Sequence, residues 1–398
     1  MKGLLIGKKI RLLPTPEQEI VFWKSAGVAR WAYNYFLAEQ ERVYQEYLDN
    51  GKNGQRYVKE GEVRKYINNV LKKTTHTWLA EVGSNVMKQA VKDANEAYQR
   101  YFKGLSEKPR FKTKHKSEPK FYVNYESLKR KPNGFQGEKL GIVKTAEHLP
   151  KLPKGANYSN PRISFDGKYW YLSVGYEIPE KEEELTEESL GIDLGVKELA
   201  VCSNGKRYKN INKTKRVRQL EKKLRREQRK LSRKMEANIK SYKVIGKKRY
   251  PIWKKPLKEC KNIQKQNKVI RLLHRKLTSI RNNYLHQKTT EIVKTKPSRI
   301  VMENLNVKGM MKNRHLSKAI AQQKFYEFKR QIKYKCKLRG ISFVEVDRYY
   351  PSSKKCSCCG SIKKDLKLSD RIYRCEKCGL VIDRDYNASI NLATYELA

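Results

Sequence analysis

Three acidic residues occupy settings in which a carboxylate could do chemistry. Asp193 lies in GIDLGVK, Glu303 in IVMENL and Asp385 in DRDYNASINL. Hydrolysis of a phosphodiester by two Mg2+ ions requires acidic side chains that converge on the metals, and little else from the protein. The order and context of the three segments therefore predict a metal-dependent nuclease with two catalytic Mg2+ ions.

Each carboxylate also has an ordinary structural explanation. The apolar neighbours of Asp193 would share one face of a strand, which leaves Asp193 on the other face, where it could simply meet solvent. Glu303 ends an apolar run in the same way. Asp383 and Asp385 precede the last predicted helix, where aspartate is a common N-cap. The residues alone leave open which of these two aspartates caps the helix and which binds metal.

The spacing of four cysteines predicts a second kind of metal site. The pattern C-x2-C-x15-C-x2-C places its thiols at Cys356, Cys359, Cys375 and Cys378, as in two knuckles that close around one Zn2+. A glycine follows each pair and permits the turn that directs backbone amides at the sulfurs. Protein fills all four coordination positions, so the predicted zinc is structural. Cys358 is an alternative to Cys359 as the ligand.

The charge of the chain indicates a polyanionic partner. Its 398 residues include 90 lysines and arginines against 41 aspartates and glutamates, a formal net charge of +49 that extends over nearly the whole sequence. Solubility requires a net charge of only about 2–8 for a small domain, so we expect a long nucleic-acid surface. No apolar run of roughly 18 residues is present, and the first apolar stretch is too short for a signal peptide. We therefore expect no membrane partner and a cytoplasmic, nucleoid-associated prokaryotic protein; without a P-loop, no use of ATP is expected.

The hydropathy pattern divides the chain into β and α regions. A strand at 3–13 precedes a helical block at about 15–104. β-like segments occupy 121–178, with a hairpin around Asp166-Gly167, and we expect the first strand to join them. An acidic linker, KEEELTEE, follows. Beyond it, the pattern predicts a strand at 191–205, an antiparallel helical hairpin at 213–293 interrupted near 246–256, a strand at 299–305, a helix at 317–339, a strand at 340–348 and a last helix at 386–397.

The acidic motifs and the cysteine pattern together resemble the RuvC-like nuclease domain of the TnpB family. These are transposon-encoded, RNA-guided DNA endonucleases related to the miniature type V CRISPR effectors. The amino-terminal segments IRLLPTPEQE, ARWAYNYFL and PRFK are similar to that family as well. The resemblance therefore extends over nearly the whole chain, and it covers transposon proteins and their smallest CRISPR-associated relatives alike.

The resemblance implies roles for the carboxylates and an α/β multidomain fold. Asp193, Glu303 and Asp385 would form the Mg2+-binding triad, because the family's third aspartate precedes x-N-A, as Asp385 does; Asp383 would then be a neighbour or a cap. An RNase H-like (RuvC) domain would carry an inserted zinc ribbon. An oligonucleotide-binding-like β-barrel, the wedge, would carry an inserted helical recognition lobe. The implied boundaries are 1–14 and 121–180 for the wedge, 15–120 for the lobe, 181–190 for the acidic linker, 191–350 and 381–398 for the nuclease domain, and 351–380 for the ribbon.

The activity that the resemblance implies is RNA-guided cleavage of double-stranded DNA. A guide RNA from the transposon end would bind the basic surface and pair with the target, beside a short DNA motif that the protein reads. Candidate nucleic-acid contacts are Asn85, Lys88, Gln89, Arg110 and Lys112. The first three could instead form an ordinary exposed helix face. A guided DNA-binding repressor would have lost the carboxylates, and a DNA strand transferase would join transposon ends without RNA; both are alternatives.

Overall fold

A computed structural model describes residues 4–114, 116–179, 183–246, 248–367 and 370–396. The start of the predicted strand at 3–13, residues 181–182 of the predicted linker and the end of the last predicted helix lie outside the described residues. The chain divides into two compact units, Gly3–Ile178 and Pro179–Ala398, the second with Met1–Lys2. No helix within the described ranges is long and apolar enough to cross a membrane.

The amino-terminal unit contains one seven-stranded antiparallel sheet. Its strands are β1 (Leu4–Leu13), β2 (Lys120–Tyr122), β3 (Lys129–Lys131), β4 (Gly134–Gly137), β5 (Gly141–Thr145), β6 (Ser159–Phe165) and β7 (Trp170–Ile178). They lie in the order β2-β6-β7-β1-β5-β4-β3. β1 pairs with β7 along most of its length and with β5 at its end, so the first strand joins the later ones, as predicted. The predicted hairpin is confirmed as β6–β7.

Three helices follow β1 and pack in the same core as the sheet. They are α1 (Pro16–Asp49), α2 (Glu60–Tyr66) and α3 (Ser84–Phe102). Thr15 caps α1 through a capping box, in which its hydroxyl accepts from the N–H of Gln18 and the Gln18 side chain accepts from the N–H of Thr15. Phe22 and Phe36 of α1 are fully buried in one cluster with Leu172 of β7. Helix and sheet in this unit therefore stabilise each other through shared apolar burial.

The second unit contains a mixed five-stranded sheet. In chain order its elements are β8 (Thr186–Leu194), β9 (Glu198–Cys202), β10 (Arg207–Lys209), α4 (Lys215–Ala237), β11 (Ile239–Ile245), β12 (Lys248–Trp253), α5 (Lys261–Val293), β13 (Pro297–Glu303), α6 (Val307–Met310), α7 (Ser317–Gln323), α8 (Phe325–Lys337), β14 (Ser342–Val346), β15 (Ile372–Arg374), β16 (Val381–Asp383) and α9 (Arg384–Ala393). The sheet order is β10-β9-β8-β13-β14. β8 pairs antiparallel with β9, whereas β13 runs parallel to both β8 and β14.

Two predictions around the first carboxylate are wrong in detail. The single strand predicted at 191–205 is two strands, because the chain turns after Leu194 and β9 pairs back onto β8. Residues 186–190, predicted to lie in an acidic linker, form the first half of β8. Composition alone assigns this acidic segment to a linker. In the structure it pairs with the backbone of β13, and Glu183 forms an ion pair with Arg339 at 2.6 Å, so the segment is accommodated in the fold.

The helical predictions of this unit also need correction. α4 and α5 form the expected antiparallel pair, with Leu224 and Leu277 in its buried seam, but the interruption between them is an ordered β-hairpin, β11–β12. The helix predicted at 317–339 is broken at Lys324, which adopts a left-handed conformation with φ of 56°. Periodicity does not report such a break, because the apolar pattern continues on both sides of it.

Helix α9 packs unusually close to β8, and a glycine makes that approach possible. A Cβ at position 191 would overlap the carbonyl oxygen of Ser389 and the amide nitrogen of Ala393. The end of α9 is fixed as well: the hydroxyl of Ser189 donates to the carbonyl of Ala393 at 2.7 Å, and Arg299 donates to the same oxygen at 3.1 Å. Gly191 therefore sets the distance between the last helix and the strand that carries Asp193.

Gly191→Ala is expected to destabilise the second unit by about 3 kcal/mol or more, because backbone rather than a flexible side chain meets the added methyl. Gly27→Ala is the matched control. Gly27 lies within α1, where nothing is within 4 Å of the added Cβ, so alanine should stabilise by up to about 1 kcal/mol. Calorimetric unfolding of both variants measures these shifts, and equal effects of the two substitutions would contradict the close approach of α9.

Candidate functional site

Two of the predicted carboxylates lie side by side at the carboxyl ends of neighbouring parallel strands. Glu303 is the last residue of β13, and Asp193 is the next to last of β8. Met302 is in register with Ile192, so the two acidic residues follow at the same level of the sheet. Parallel pairing brings carboxyl strand ends to one edge, which explains how residues 110 positions apart in the sequence (193 and 303) meet.

The third carboxylate is delivered by α9, which packs across β8, β9 and β13. Asp383 is the N-cap of this helix, since its side chain accepts from the N–H of Tyr386 at 3.0 Å. It also pairs with Arg207 at 3.1 Å. Asp385 lies in the first turn, with Arg384 at 3.4 Å and Arg371 at 3.9 Å. The structure thus gives the two aspartates different positions: Asp383 caps the helix, and Asp385 lies close enough to Asp193 and Glu303 for its charge to raise the pKa of both.

The charges of neighbouring carboxylates affect the pKa values of Asp193 and Glu303. Burial, reinforced by the charges of Glu303 and Asp385, holds the pKa of Asp193 well above its ordinary value of 3.8. Burial also raises the pKa of Glu303; a hydrogen bond from Ser352 opposes the shift and Asp385 adds to it. Asp383 behaves oppositely: burial favours its neutral form, but hydrogen bonds from the N–H of Tyr386 and from Arg207 outweigh burial and lower its pKa.

The three carboxylates are nevertheless spaced more widely than the thiols of the cysteine cluster. Among the described residues, the cysteines alone form a group of three or more potential metal ligands whose ligand atoms all lie within 4.8 Å of one another. Burial and the mutual repulsion of like charges oppose the ionisation of Asp193 and Glu303. A divalent cation among the carboxylates would remove that repulsion, so the site has the chemistry of a cation site.

The four predicted thiols form one compact cluster. The Sγ atoms of Cys356 and Cys378 are 3.6 Å apart, and those of Cys359 and Cys375 are 3.5 Å apart. Cys358 is exposed and lies outside the cluster, so Cys359 is the fourth member. Four thiols with no side-chain competitor fit a closed tetrahedral metal site.

The local backbone prepares these thiols for a metal. Gly360 and Gly379 have φ of 74° and 71°, the left-handed conformation in which glycine is favoured, and each turns the chain directly after a thiol pair. The hydroxyl of Ser361 lies 3.2 Å from the sulfur of Cys375 and lowers the pKa of that thiol to about 6. Ser361 also lowers the pKa of Cys359. The thiolate forms of Cys359 and Cys375 are therefore favoured. At Cys378 a hydrogen bond from Leu380 favours the thiolate, but burial and the other three thiols outweigh it and raise the pKa to about 12.

A hydrogen-bonded network joins the cysteine loop to Glu303. The hydroxyl of Ser352 donates to the carboxylate of Glu303. Asn391 donates to the carbonyls of Ser352 and Lys355, both at 2.7 Å, and Asn387 donates to Lys355 at 2.7 Å. Both asparagines are almost completely buried on α9. The last helix thus presents Asp385 and also anchors the segment that orients Glu303.

Sequence reasoning did not assign a role to Ser352, Asn387, Asn391 or Arg207. The two asparagines carry a signal, because polar residues one turn apart on an otherwise apolar helix suggest buried hydrogen bonds. Ser352 has no such signal: one serine in SSKK is not distinguishable from the next. Its contact depends on tertiary packing.

The five predicted nucleic-acid contacts lie in the amino-terminal unit. Asn85, Lys88 and Gln89 share one half-buried face of α3, and Gln89 donates to Asp93 at 3.0 Å. Arg110 is exposed and pairs with Glu107. Lys112 lies 3.4 Å from the ring centroid of Tyr33, and burial lowers its pKa to about 8. Gln89, Arg110 and Lys112 therefore have intramolecular partners, and the role of all five in binding nucleic acid stays a prediction.

Cys359→Ser is expected to lower bound metal from about one ion per chain to well below one, because only three thiols remain in the cluster. Cys358→Ser is the matched control and should retain the metal, since that residue lies outside the cluster. Elemental analysis of the two purified variants provides the measurement. Loss of metal from the Cys358 variant alone would show that the cluster is assigned to the wrong thiol.

Asp193→Asn is expected to raise the thermal stability of the metal-free protein near pH 7, because it removes one of three repelling charges. A raised folded-state pKa means that the parent loses stability as pH rises from about 3.8 through that pKa. The advantage of the variant should therefore shrink as pH falls through the same window.

Asp383→Asn is the control with the opposite sign. The pKa of Asp383 is lowered, so its charge stabilises the fold, and the variant should lose stability near pH 7 with its ion pair to Arg207. Thermal melts in EDTA at several pH values measure both effects. A stabilisation by Asp193→Asn that is independent of pH would refute the electrostatic origin.

Comparison with known proteins shows which families the chain is similar to. Residues 173–314 match the family model described as "Probable transposase", residues 325–392 match "Cas12f1-like, TNB domain", and residues 1–49 match the helix-turn-helix domain of the same transposase group. The chain is similar to the solved structure of a Cas12f1–sgRNA–target DNA complex, with a TM-score of 0.53, 14% identity and coverage of 98% of this chain and 99% of that one. At that identity the likeness concerns the fold alone.

Curated relatives match over nearly the full length. A putative RNA-guided DNA endonuclease of Streptomyces pristinaespiralis is 28% identical over 98% of this chain and 89% of its own. InsQ of Escherichia coli K12, with the same description, is 28% identical over 96% of this chain and 90% of its own. A TnpB-like protein of Acanthamoeba polyphaga mimivirus is 34% identical over 38% of this chain and 29% of its own. The matching models and these relatives together confirm the resemblance of the chain to the TnpB family.

Proposed function

We propose that this protein is an RNA-guided DNA endonuclease that binds a transposon-derived guide RNA and cleaves complementary double-stranded DNA beside a short motif. The convergence of Asp193, Glu303 and Asp385 from two parallel strands and one helix carries this proposal. The printed descriptions of the full-length relatives support it. A guided repressor has no need for three carboxylates that repel one another. Such a group lowers the stability of the fold, a cost that is typical of sites that perform a reaction.

The proposed catalytic residues fit two Mg2+ ions, because hard cations prefer carboxylate oxygens and the three acidic groups repel one another without them. When bound, the ions would supply an activated water and stabilisation of the leaving oxygen. The chain's own contribution is positional. Ser352 orients Glu303 by donating to its carboxylate, and the sheet edge fixes Asp193 beside it.

The proposed structural metal is Zn2+, held by Cys356, Cys359, Cys375 and Cys378. Four thiolates are typical of structural zinc and leave no open position for water. The site lies beside the two-stranded sheet β15–β16, whose second strand leads directly into α9. Zinc in this ribbon would therefore stabilise the start of the helix that carries Asp385.

The architecture that we propose is an RNase H-like (RuvC) domain at 191–350 and 381–398 with the zinc ribbon at 351–380. A wedge barrel at 1–14 and 121–180 and a recognition lobe at 15–120 complete it. Supporting this division, three helices separate β1 from its partner strands, and β1 pairs with two neighbours in turn, as a strand in a curling sheet does. We also propose that the protein acts in the cytoplasm of a prokaryote, in association with the nucleoid.

A strongly basic surface in the second unit would hold the nucleic acid. The buried side of α4 contributes Val217 and Leu224 to the seam with α5. A groove beside that seam is lined by cations: Arg216, Lys222, Lys223, Arg225, Arg226, Arg229 and Lys276. Regularly spaced cations without acidic partners in the groove suit a phosphate backbone, which the protein would read by charge and shape. Binding should therefore weaken steeply with salt.

The decisive experiment is purification of the protein with its bound RNA, sequencing of that RNA, and incubation with a duplex matching the guide. We expect cleavage in Mg2+ and none in EDTA. Asp193→Asn, Glu303→Gln and Asp385→Asn should each lower the rate by roughly 100-fold or more, since each removes a charge that acts on the transition state. Asp383→Asn is the matched control and should retain cleavage, because Asp383 caps the helix.

Gel-shift assays on the same variants separate binding from cleavage. All four should still bind guide RNA and target, because the carboxylates do not attract phosphate. Cleavage at the parent rate by Asp193→Asn would refute the nuclease assignment. Joining of transposon ends without added RNA would favour a strand transferase, and guided binding without cleavage would favour a repressor.

A further inference from the structure

A small cleft opens directly beside Glu303 and has no role in the chemistry described so far. Its walls come from the ends of β8 and β13, from the segment after β13 and from α8. The lining includes Leu194, Glu303, Lys308, Phe325, Tyr326 and Arg348. Its volume of about 180 Å³ is below the range of about 300–1,000 Å³ found for pockets of drug-sized ligands. The cleft therefore suits a single base or phosphate rather than a duplex.

The aromatic wall of this cleft combines one anchored ring with one exposed ring. Phe325 is 2% exposed and fixes the start of α8 in the core, whereas its neighbour Tyr326 is 68% exposed. Successive residues of a helix point about 100° apart, so Phe325 packs while Tyr326 faces solvent. Its phenol group also keeps one end compatible with water. Tyr326 thus presents a flat surface a short way from the acidic site.

A strained turn holds Tyr326 in this position. Lys324, between α7 and α8, has φ of 56° and ψ of 46°, a conformation that costs energy in a residue other than glycine. Two hydrogen bonds stabilise the turn: Lys324 Nζ donates to Asn282 at 2.6 Å, and the buried Gln323 donates to the carbonyl of Gly195 at 3.0 Å. Gly195 follows the strand of Asp193 by one residue. The turn that sets Tyr326 is therefore tied to the segment that sets Asp193.

Cations also line the cleft. Lys308 and Arg348 line it and are exposed. Lys329 also lines it but pairs with Glu345 at 2.8 Å, so its charge is partly offset. Glu303 lines the same cleft, so an anion bound by Lys308 and Arg348 would lie near it. The lining offers one ligand both a ring surface and cations, which matches a flat ring that carries a negatively charged group.

We propose that this cleft binds one nucleotide of the DNA strand being cut, with its base stacked on Tyr326 and its phosphate held by Arg348 and Lys308. The inference rests on the proposed nuclease function, since it makes the nucleotide beside Glu303 part of the substrate. Stacking is tolerant of sequence, because every base has a π-face. The contact would therefore position the cut without reading the target, which is consistent with sequence selection by the guide.

The first experiment tests Tyr326 with an abasic scan of the cut strand. Single-turnover cleavage is measured for substrates in which one base at a time near the cut is removed. We expect the parent to slow by roughly 10-fold at one or two adjacent positions, and Tyr326→Ala to be about 10-fold slower on the intact substrate but insensitive to those same abasic sites. Tyr326→Phe should restore the parent behaviour, because it retains the ring.

Tyr349→Ala is the matched control. Tyr349 is 85% exposed, lies in the same unit and does not line the cleft, so its loss should leave rate and abasic profile unchanged. Thermal melting of each variant confirms that it is folded. Parent-like cleavage by Tyr326→Ala, or slowing that is equal at every abasic position, would overturn the proposal. Slowing that follows weaker guide-RNA binding would assign the cleft to RNA instead and would overturn it as well.

A second measurement does not depend on cleavage. The complex with guide RNA is bound to a target carrying 2-aminopurine at the scanned positions, in EDTA, and the fluorescence is recorded. Stacking on Tyr326 should quench one position in the parent and in Tyr326→Phe, but not in Tyr326→Ala. Quenching with this pattern in a parent that does not cut would refute the nuclease function and retain the cleft. Cleavage without any such quenching would do the reverse.

Discussion

Mutual repulsion among Asp193, Glu303 and Asp385 is the constraint on which this unit of the protein depends. Charges of one sign in a largely buried place oppose folding, and the raised pKa of Asp193 records that opposition. The fold resists it with interactions that do not involve the carboxylates. Backbone pairing fixes β8 beside β13, and close contact at Gly191 fixes α9 across both. Separating the acidic groups would require breaking sheet pairing or lifting a helix from its core.

The cysteine segment also helps to hold the carboxylates in place. The side-chain amides of Asn387 and Asn391 are fully buried. A buried amide that lacks hydrogen-bond partners destabilises the fold by its full desolvation penalty. Their partners are the backbone carbonyls of Ser352 and Lys355, just before the first thiol. The loop therefore has one favourable position on α9, and in that position Ser352 reaches Glu303. The thiol cluster and the acidic site are thus joined by hydrogen bonds rather than by proximity in sequence.

Sequence foresaw the elements better than their junctions. The spacing of the thiols and the apolar seam of α4 and α5 depend on local periodicity, and both are found in the structure. Motif comparison selected Asp385 over Asp383 as the metal ligand, and that choice stays a prediction; the structure shows Asp383 as the N-cap of α9. The turn at Lys324 was missed, because a left-handed lysine has no sequence signature and is held by Asn282, 42 residues away. The linker was misjudged since pairing partners decide whether an acidic segment becomes a strand.

Binding nucleic acid requires positive charge, whereas a metal-dependent reaction on it requires acidic side chains. Phosphates are drawn to a chain of net charge +49, yet the three carboxylates repel them. The protein separates the demands in space: cations line the groove of α4, and Asp193 and Glu303 end neighbouring strands at one sheet edge. Affinity then depends on residues that take no part in the reaction. Because the acidic edge repels phosphate until cations neutralise it, binding can precede cutting. The carboxylates destabilise the fold and are retained for the reaction that they support once cations have neutralised them.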